Sequence, residues 1–552
     1  MRSVLVLLLL LPLAGCLDFG EDDPSAVSDG PEKEVPPLGN TTLPAVNETE
    51  PLVPYPHFPN DGISVKEDLL VESVGGHMVP VTVYRPAIAN ETQQVPVLLH
   101  THGFTGSRWS SDNAAFAYIE AGFGVVSFDQ RGHGDATETS EVNFMQPDME
   151  VADARAVIDA IASWDWVLKD RDDPSDPRLG TIGYSYAGAM QLMTQIFDDR
   201  IDAMVPEMTW HNITTALAPN GVIKTGWVGL FYLAGNTISP INFSDDFDQG
   251  WAWAMGANEL PAGQFGVVPD LVTELNEASP EYYPDGLTVP TRLIQGMPDT
   301  LFPLNQAVWN YDQLKGHGAP AQLYTHLGGH VLHTDNLYGE SPIGYGVGLQ
   351  GAPGGFPCGS VQDLSIEWHA YWLLELDVNI GREVCISLED GRAIYGDTFP
   401  LPGTDFQTHA IAGPLPVVQA AGAGSLAPLL TLDFTDATII AGIPRLSGSI
   451  TAPGADTIVY FSFYKQDTSG LLEHIVDDQV RPLRIKGPNT AAVDFDIELG
   501  GIATEVAAGE SLVLVVSSVE PMYVANSQRL PSGTVLQDLE LTLPVVPNPR
   551  FS

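Results

Sequence analysis

Positive charge is scarce in this chain. Of 552 residues, 23 are lysine or arginine and 70 are aspartate or glutamate, for a formal net charge of −47. Nucleic-acid binding needs a basic footprint, and recognition of anionic lipid needs a polybasic patch, so both are excluded as the main activity. Cysteine is scarcer still, with three residues, none at the spacing of a metal site. A membrane-spanning run is missing from the amino terminus as well. The apolar stretch Val4 to Ala14 is too short to cross a bilayer.

What is present is a large folding chain. The hydrophobic content of 44% is enough for real cores, and the length suggests two or three domains. Lysine is scarcer than arginine. An acid-rich, lysine-poor surface stays soluble in concentrated salt, which fits a salt-adapted source and equally an ordinary acidic secreted protein.

The apolar stretch follows Arg2 and ends in Leu13-Ala14-Gly15-Cys16. Small residues directly before a cysteine, directly after such a run, look like a lipoprotein signal spanning 1–15. Cys16 is then the lipid-modified first residue, and the acyl or ether-lipid chains attach the protein to the extracellular face of the membrane. Residues 16–60 are rich in Pro, Asp, Glu, Ser, Asn and Thr and read as a disordered tether. Outside the cell the remaining pair, Cys358 and Cys385, suggests a disulfide; two buried thiols are the alternative. Asn40, Asn47, Asn90, Asn212 and Asn242 begin Asn-X-Ser/Thr sequons, for which chance occurrence is the default reading.

From 61 to 395, strand-like runs alternate with helical periodicity, as in an α/β sheet. Predicted strands are Val95 to Thr101, Gly124 to Phe128, Leu179 to Gly183, Ile201 to Met208, Thr291 to Gly296 and Ala321 to Leu327. Helices are predicted over Ser111 to Ala121, around Val151 to Trp164, over Ala187 to Phe197, and over Val361 to Leu374, the last closing the domain. The alternation breaks at about 209–285, where aromatics including Trp210, Trp227, Phe231 and Trp251 suggest a cap over a pocket. Residues 396–552 carry short β-rich runs between Gly, Pro and Asp turns, which predicts an all-β sandwich or jelly roll.

Gly183-Tyr184-Ser185-Tyr186-Ala187-Gly188 stands where a strand must turn sharply into a helix. That is the setting of a nucleophile elbow, with flanking glycines relieving the crowding around a strained serine. Ala187 replaces the second glycine of the common pattern. A serine hydroxyl needs a base, and the base needs an orienting acid, in the chain order Ser, acid, His. Asp299 and His330 each follow a predicted strand and complete the set. His326 and His333 are rivals, but the Gly328-Gly329 pair suits a loop that swings His330 over the serine. The backbone N–H groups of Tyr186 and Phe104 are the candidate oxyanion donors. His102 and the Asp129–Gly134 turn read as structural, with Arg131 bridging loops.

The motifs together resemble the X-prolyl dipeptidyl-peptidase and cocaine-esterase (CocE/NonD-like) family of α/β-hydrolases. The elbow matches the family's G-x-S-Y-x-G, Asp129-Gln-Arg131-Gly132-His-Gly134 its D-x-R-G-x-G turn, and the β-rich end its galactose-binding-like jelly roll. Thr209-Trp210-His211 and Lys224-Thr225-Gly226-Trp227 look like a bacterial subgroup. The resemblance spans about 61–545 and implies an α/β-hydrolase fold with a helical cap, the triad Ser185, Asp299 and His330, and no metal or cofactor. Some relatives use a tyrosine hydroxyl as oxyanion donor where this chain reads His-Gly-Phe-Thr-Gly.

The expected activity is cleavage of an amide or ester through an acyl-enzyme, with an X-prolyl dipeptidyl-peptidase as the leading reading and a carboxylic-ester hydrolase as the alternative. The substrate is a small peptide or ester. Trp210, Trp227 and Glu207 are candidates for the pocket, Glu207 as an anchor for a substrate amine. A reading from another class is a surface lipoprotein that binds ligands without turnover.

Overall fold

The computed structural model describes residues 64–109, 112–170, 173–330, 355–417, 427–475, 479–520, 522–523 and 533–551. The signal, Cys16, the tether, Asn40, Asn47 and His333 lie outside these residues.

Ten strands form one sheet: β1 (Ser64–Glu72), β2 (Met78–Pro86), β3 (Val97–His100), β4 (Gly124–Phe128), β5 (Leu179–Tyr184), β6 (Ala203–Glu207), β7 (Thr291–Gly296), β8 (Ala321–His326), β9 (Val384–Ser387) and β10 (Ala393–Gly396). Their order is β1-β2-β4-β3-β5-β6-β7-β8-β9-β10. The stretch from β4 to β9 is parallel, while β1, β2 and β10 pair antiparallel at the two ends. The β1–β2 hairpin lies outside the strands predicted above.

Strands β3, β4, β6, β7 and β8 are buried along their whole length. Parallel strands covered on both faces read as continuous apolar runs, which is why they were legible. Period-two alternation divides their side chains between two cores. Leu98, Val125 and Ile294 face α1 (Asp112–Glu120) and α9 (Val361–Leu373). Val97, Leu99 and Val126 face α2 (Glu150–Ser163) and α3 (Tyr186–Phe197), in a core that also takes in α8 (Leu304–Gly316).

The helix predicted to close the domain does not close it. After α9 the chain adds β9 and β10 to the same sheet. Each is four residues long, too short for periodicity to separate strand from loop. Cys358 and Cys385 form a disulfide that ties the approach to α9 to β9.

The interrupted region contains α4 (Ile213–Leu217), α5 (Thr225–Leu233), α6 (Asp245–Ala257) and α7 (Leu271–Glu277). They sit between β6 and β7, beyond the carboxyl ends of the strands. Asn212 caps α4 by accepting from the Thr215 N–H and is buried, so its sequon offers no surface acceptor. No helix of the described residues is long and apolar enough to cross a membrane.

From Asp405 onward the named elements of the described residues are all strands. A seven-stranded sheet and a five-stranded sheet, both antiparallel, share one core that includes Ile440, Leu446, Phe461, Leu514 and Leu541. This part is fastened to the rest by polar contacts. Arg484 donates to the carbonyls of Gly221 and Asn258 in the cap, and Asn305 of α8 donates to Leu499 O and accepts from Gly501 N.

Removing the disulfide with Cys385→Ser should destabilise the catalytic sheet by about 3.5 kcal/mol for a loop of this length, read as a lower denaturant midpoint. Equal midpoints for the variant and the parent would refute this.

Candidate active site

Ser185 follows β5 directly and precedes the first residue of α3. Its φ of 60° and ψ of −121° lie outside the ordinary regions for an L-residue. Two close approaches hold it there. Its N–H donates to Glu207 O (2.8 Å), and its C=O accepts from Thr209 Oγ1 (2.9 Å). A Cβ on Gly183 would stand 2.7 Å from the Ala187 Cβ, and one on Gly188 would stand 2.8 Å from the Thr209 Cβ and 2.9 Å from Glu207 O. The crowding against β6 therefore falls at 188, which explains how Ala187 is tolerated one position earlier.

Ser185, Asp299 and His330 meet above the carboxyl ends of β5, β7 and β8. His330 Nε2 lies 2.9 Å from Ser185 Oγ, and His330 Nδ1 lies 2.8 Å from Asp299 Oδ2. An ionised carboxylate only accepts, so Nδ1 carries the proton and Nε2 is free to accept from the serine. All three residues are buried, Asp299 completely. Asp299 Oδ1 accepts from the N–H groups of Leu301 and Phe302, both at 2.9 Å. The His330 ring is wedged edge-on between Trp227 and Phe302, at 5.5 and 5.3 Å between centroids.

His326, the rival base within the described residues, sits inside β8. Its Nδ1 accepts from the Gly328 N–H, and its Nε2 lies 3.6 Å from Glu207. Glu207 is thus placed beside His326 and does not line the cleft in front of Ser185, which corrects its reading as an amine anchor. Trp227 is also displaced from its expected place. It is fully buried and supports His330 instead of lining the cleft.

Tyr186 is the first residue of α3, where a helix leaves its N–H groups without internal partners. Phe104 lies in the turn after β3, with its ring 5.4 Å from that of Tyr186. Both residues line the same cleft as Ser185. His102 is held by its neighbours: Nδ1 donates to Gly103 O and Nε2 accepts from the Gln130 N–H. Burial pushes it down to about 4, so it is neutral. Arg131 reaches from the β4 turn to Asp153 of α2 through two hydrogen bonds.

A cleft of about 680 Å³ opens onto Ser185. Its walls include Phe104, Phe144, Trp210, Phe231, Phe247 and Trp251, and among the described residues no lining side chain is charged. Here the aromatics of the cap face the serine as well as one another.

Sequence reasoning assigned no role to Lys224, Gln479 or Thr209. Lys224 is buried, and its Nζ donates to Thr300 O (2.7 Å) and Leu301 O (2.9 Å). Burial pushes its ammonium down to about 7; the Arg481 guanidinium adds to this, while Asp299 opposes it. A scarce lysine directly after Val222 and Ile223 was the signal available. Thr209 was marked only as part of the Thr209-Trp210-His211 motif, and for Gln479 there was no signal.

Three convergent side chains on an α/β-hydrolase sheet, with a strained serine at the elbow, define a serine hydrolase. Residues 75–332 match the model of the X-Pro dipeptidyl-peptidase (S15) family. This part of the chain is similar to that family, and the protein is a serine hydrolase of the X-Pro peptidase or ester hydrolase kind. A CocE/NonD family hydrolase from Staphylococcus aureus is similar in structure, with a TM-score of 0.62 and 14% identity over 91% of this chain and 99% of that one. An α-amino acid ester hydrolase gives 0.57 and 15% over 92% and 99%. An aminopeptidase from a marine-sediment Thaumarchaeota archaeon gives 0.57 and 12% over 90% and 97%. At these identities the likeness is one of fold. No curated protein matches the chain in sequence.

The Lys224 shift has a consequence for stability. The unfolded chain holds this proton up to about 10.5, whereas the native state releases it near 7. The unfolded state therefore binds more protons across that window, and this residue's contribution to stability rises with pH. Urea midpoints compared at pH 7 and pH 9 should rise less in Lys224→Met than in the parent.

Proposed function

We propose that the protein hydrolyses esters or amides of uncharged, apolar acyl groups through Ser185, His330 and Asp299. The observation that carries this reading is the aromatic cleft opening onto a serine already hydrogen-bonded to its base. His330 Nε2 takes the Ser185 proton as Oγ attacks the acyl carbonyl. Asp299 keeps the proton on Nδ1 and stabilises the imidazolium. The tetrahedral oxyanion is received by the N–H groups of Tyr186 and Phe104. His330 then returns the proton to the leaving group, and the acyl-enzyme is released by water.

An X-prolyl dipeptidyl-peptidase is the second reading, favoured by the family match over 75–332. A free amine in the cleft would want a carboxylate, and Glu207 is turned toward His326. A substrate panel separates the two. Burial of each added CH₂ contributes about 0.8 kcal/mol, so kcat/KM for nitrophenyl esters should rise about 4-fold per methylene until the cleft is full. N-blocked Xaa-Pro anilides should be cleaved faster than free-amine ones, and Ser185→Ala should abolish all turnover. Preference for the free amine would move the assignment to the peptidase. Failure of a fluorophosphonate to label Ser185 would leave only a non-catalytic ligand-binding role.

We further propose that the chain is exported and held at the extracellular face of the membrane by lipid on Cys16. The disulfide between Cys358 and Cys385 supports an oxidising compartment. Mass spectrometry of the protein from its native membrane should find an amino terminus at Cys16 with a lipid mass added. An unmodified Cys16 would sink this reading.

A further inference from the structure

The turn that carries Asp299 is held from both sides of its peptide groups. The N–H groups of Leu301 and Phe302 point inward to Asp299 Oδ1. In a trans peptide the C=O of the preceding residue points the opposite way. The carbonyls belonging to those same two peptide groups are Thr300 O and Leu301 O, and Lys224 Nζ donates to both, at 2.7 and 2.9 Å. A continuous path thus runs from the ammonium through two peptide dipoles to Oδ1, then from Oδ2 to His330 and on to Ser185. The next peptide back is held from the other domain: Gln479 Nε2 donates to Asp299 O at 2.6 Å. Trp227, three residues after Lys224, donates from Nε1 to Thr300 Oγ1 (3.0 Å).

We propose that Lys224 and Gln479 are positioning residues for acyl transfer, gripping the Asp299 turn by its outward carbonyls so that its carboxylate stays aimed at His330. The inference rests on the triad reading given above. Neither residue lines the cleft, so neither touches the acyl group. Lys224 acts in two ways. Two hydrogen bonds fix the turn, and donation to both carbonyls polarises their peptide groups, strengthening the N–H donors at the other end. Burying a lysine amine without a carboxylate directly bonded to it is costly. That cost is consistent with a task at this position that a smaller, neutral side chain would not perform. Gln479 gives the β-sheet domain a direct part in the reactive centre.

The test uses the full chain and a nitrophenyl ester, with Lys224→Met, Lys224→Gln and Gln479→Leu made alone and in an Asp299→Asn background. Near-ultraviolet circular dichroism checks folding. Lys224→Met should lower kcat by about 10- to 100-fold with KM within about 2-fold, because only the aim of the base is disturbed. Labelling of Ser185 by a fluorophosphonate should slow by the same factor. Added to Asp299→Asn, the substitution should cost nothing further, since the group it acts through is already lost. An unchanged kcat, a raised KM with kcat intact, or a loss that multiplies with that of Asp299→Asn would overturn the proposal. Should Lys224→Met not fold, Lys224→Gln and Gln479→Leu decide by the same comparisons. If Asp299→Asn itself leaves kcat intact, the triad reading has failed and this proposal falls with it, whereas a large loss in Asp299→Asn beside an unchanged Lys224→Met overturns this proposal alone.

Discussion

A carboxylate that water never reaches is the constraint around which this protein is organised. Asp299 is completely buried, and an isolated buried charge costs many kcal/mol unless it is paired and hydrogen-bonded. Its two oxygens are therefore fully engaged, one by two backbone N–H groups and the other by His330. Turning those N–H groups inward forces the carbonyls of the same turn outward, where they too must find donors. The donors come from Lys224 in the cap and Gln479 beyond the catalytic sheet. The three parts of the folded chain thus meet at one four-residue turn.

The cap has a double task. Its inner face supplies much of the aromatic wall in front of Ser185, and its Lys224–Trp227 segment braces the acid and the base from behind. This explains why the aromatic richness of 209–285 divides into two sets. Trp210, Phe231 and Trp251 face the cleft, whereas Trp227 is enclosed and presents its ring edge-on to His330. The β-sheet domain grips the same cap through Arg484, so the cleft is framed by contacts that no single domain could supply.

Much of the catalytic sheet was legible because its parallel strands are buried on both faces. Gly124–Phe128 and Thr291–Gly296 have in the structure the limits read from the sequence, and Leu179, Ala203 and Ala321 begin strands within two residues of the predicted starts. The hairpin β1–β2 and the four-residue strands β9 and β10 carry no comparable run of apolar residues and escaped. At the site, the order Ser185, Asp299, His330 was legible from strand ends and glycines. The tasks of Lys224 and Gln479 were not, because their work is done on backbone carbonyls, and a carbonyl leaves no mark on the residue type of its partner.

The sequence by itself determined the elbow, the order of nucleophile, acid and base, and the change from α/β to all-β character. These depend on local turn chemistry and on the period of apolar residues, both of which are written in neighbouring positions. Only the tertiary structure decided that Glu207 turns toward His326, that Trp227 is enclosed beside His330, and that Lys224 and Gln479 meet the Asp299 turn. Each of these joins segments distant in the chain, and their pairing is set by how the strands are ordered in the sheet and by what the cap and the β-sheet domain bring across it.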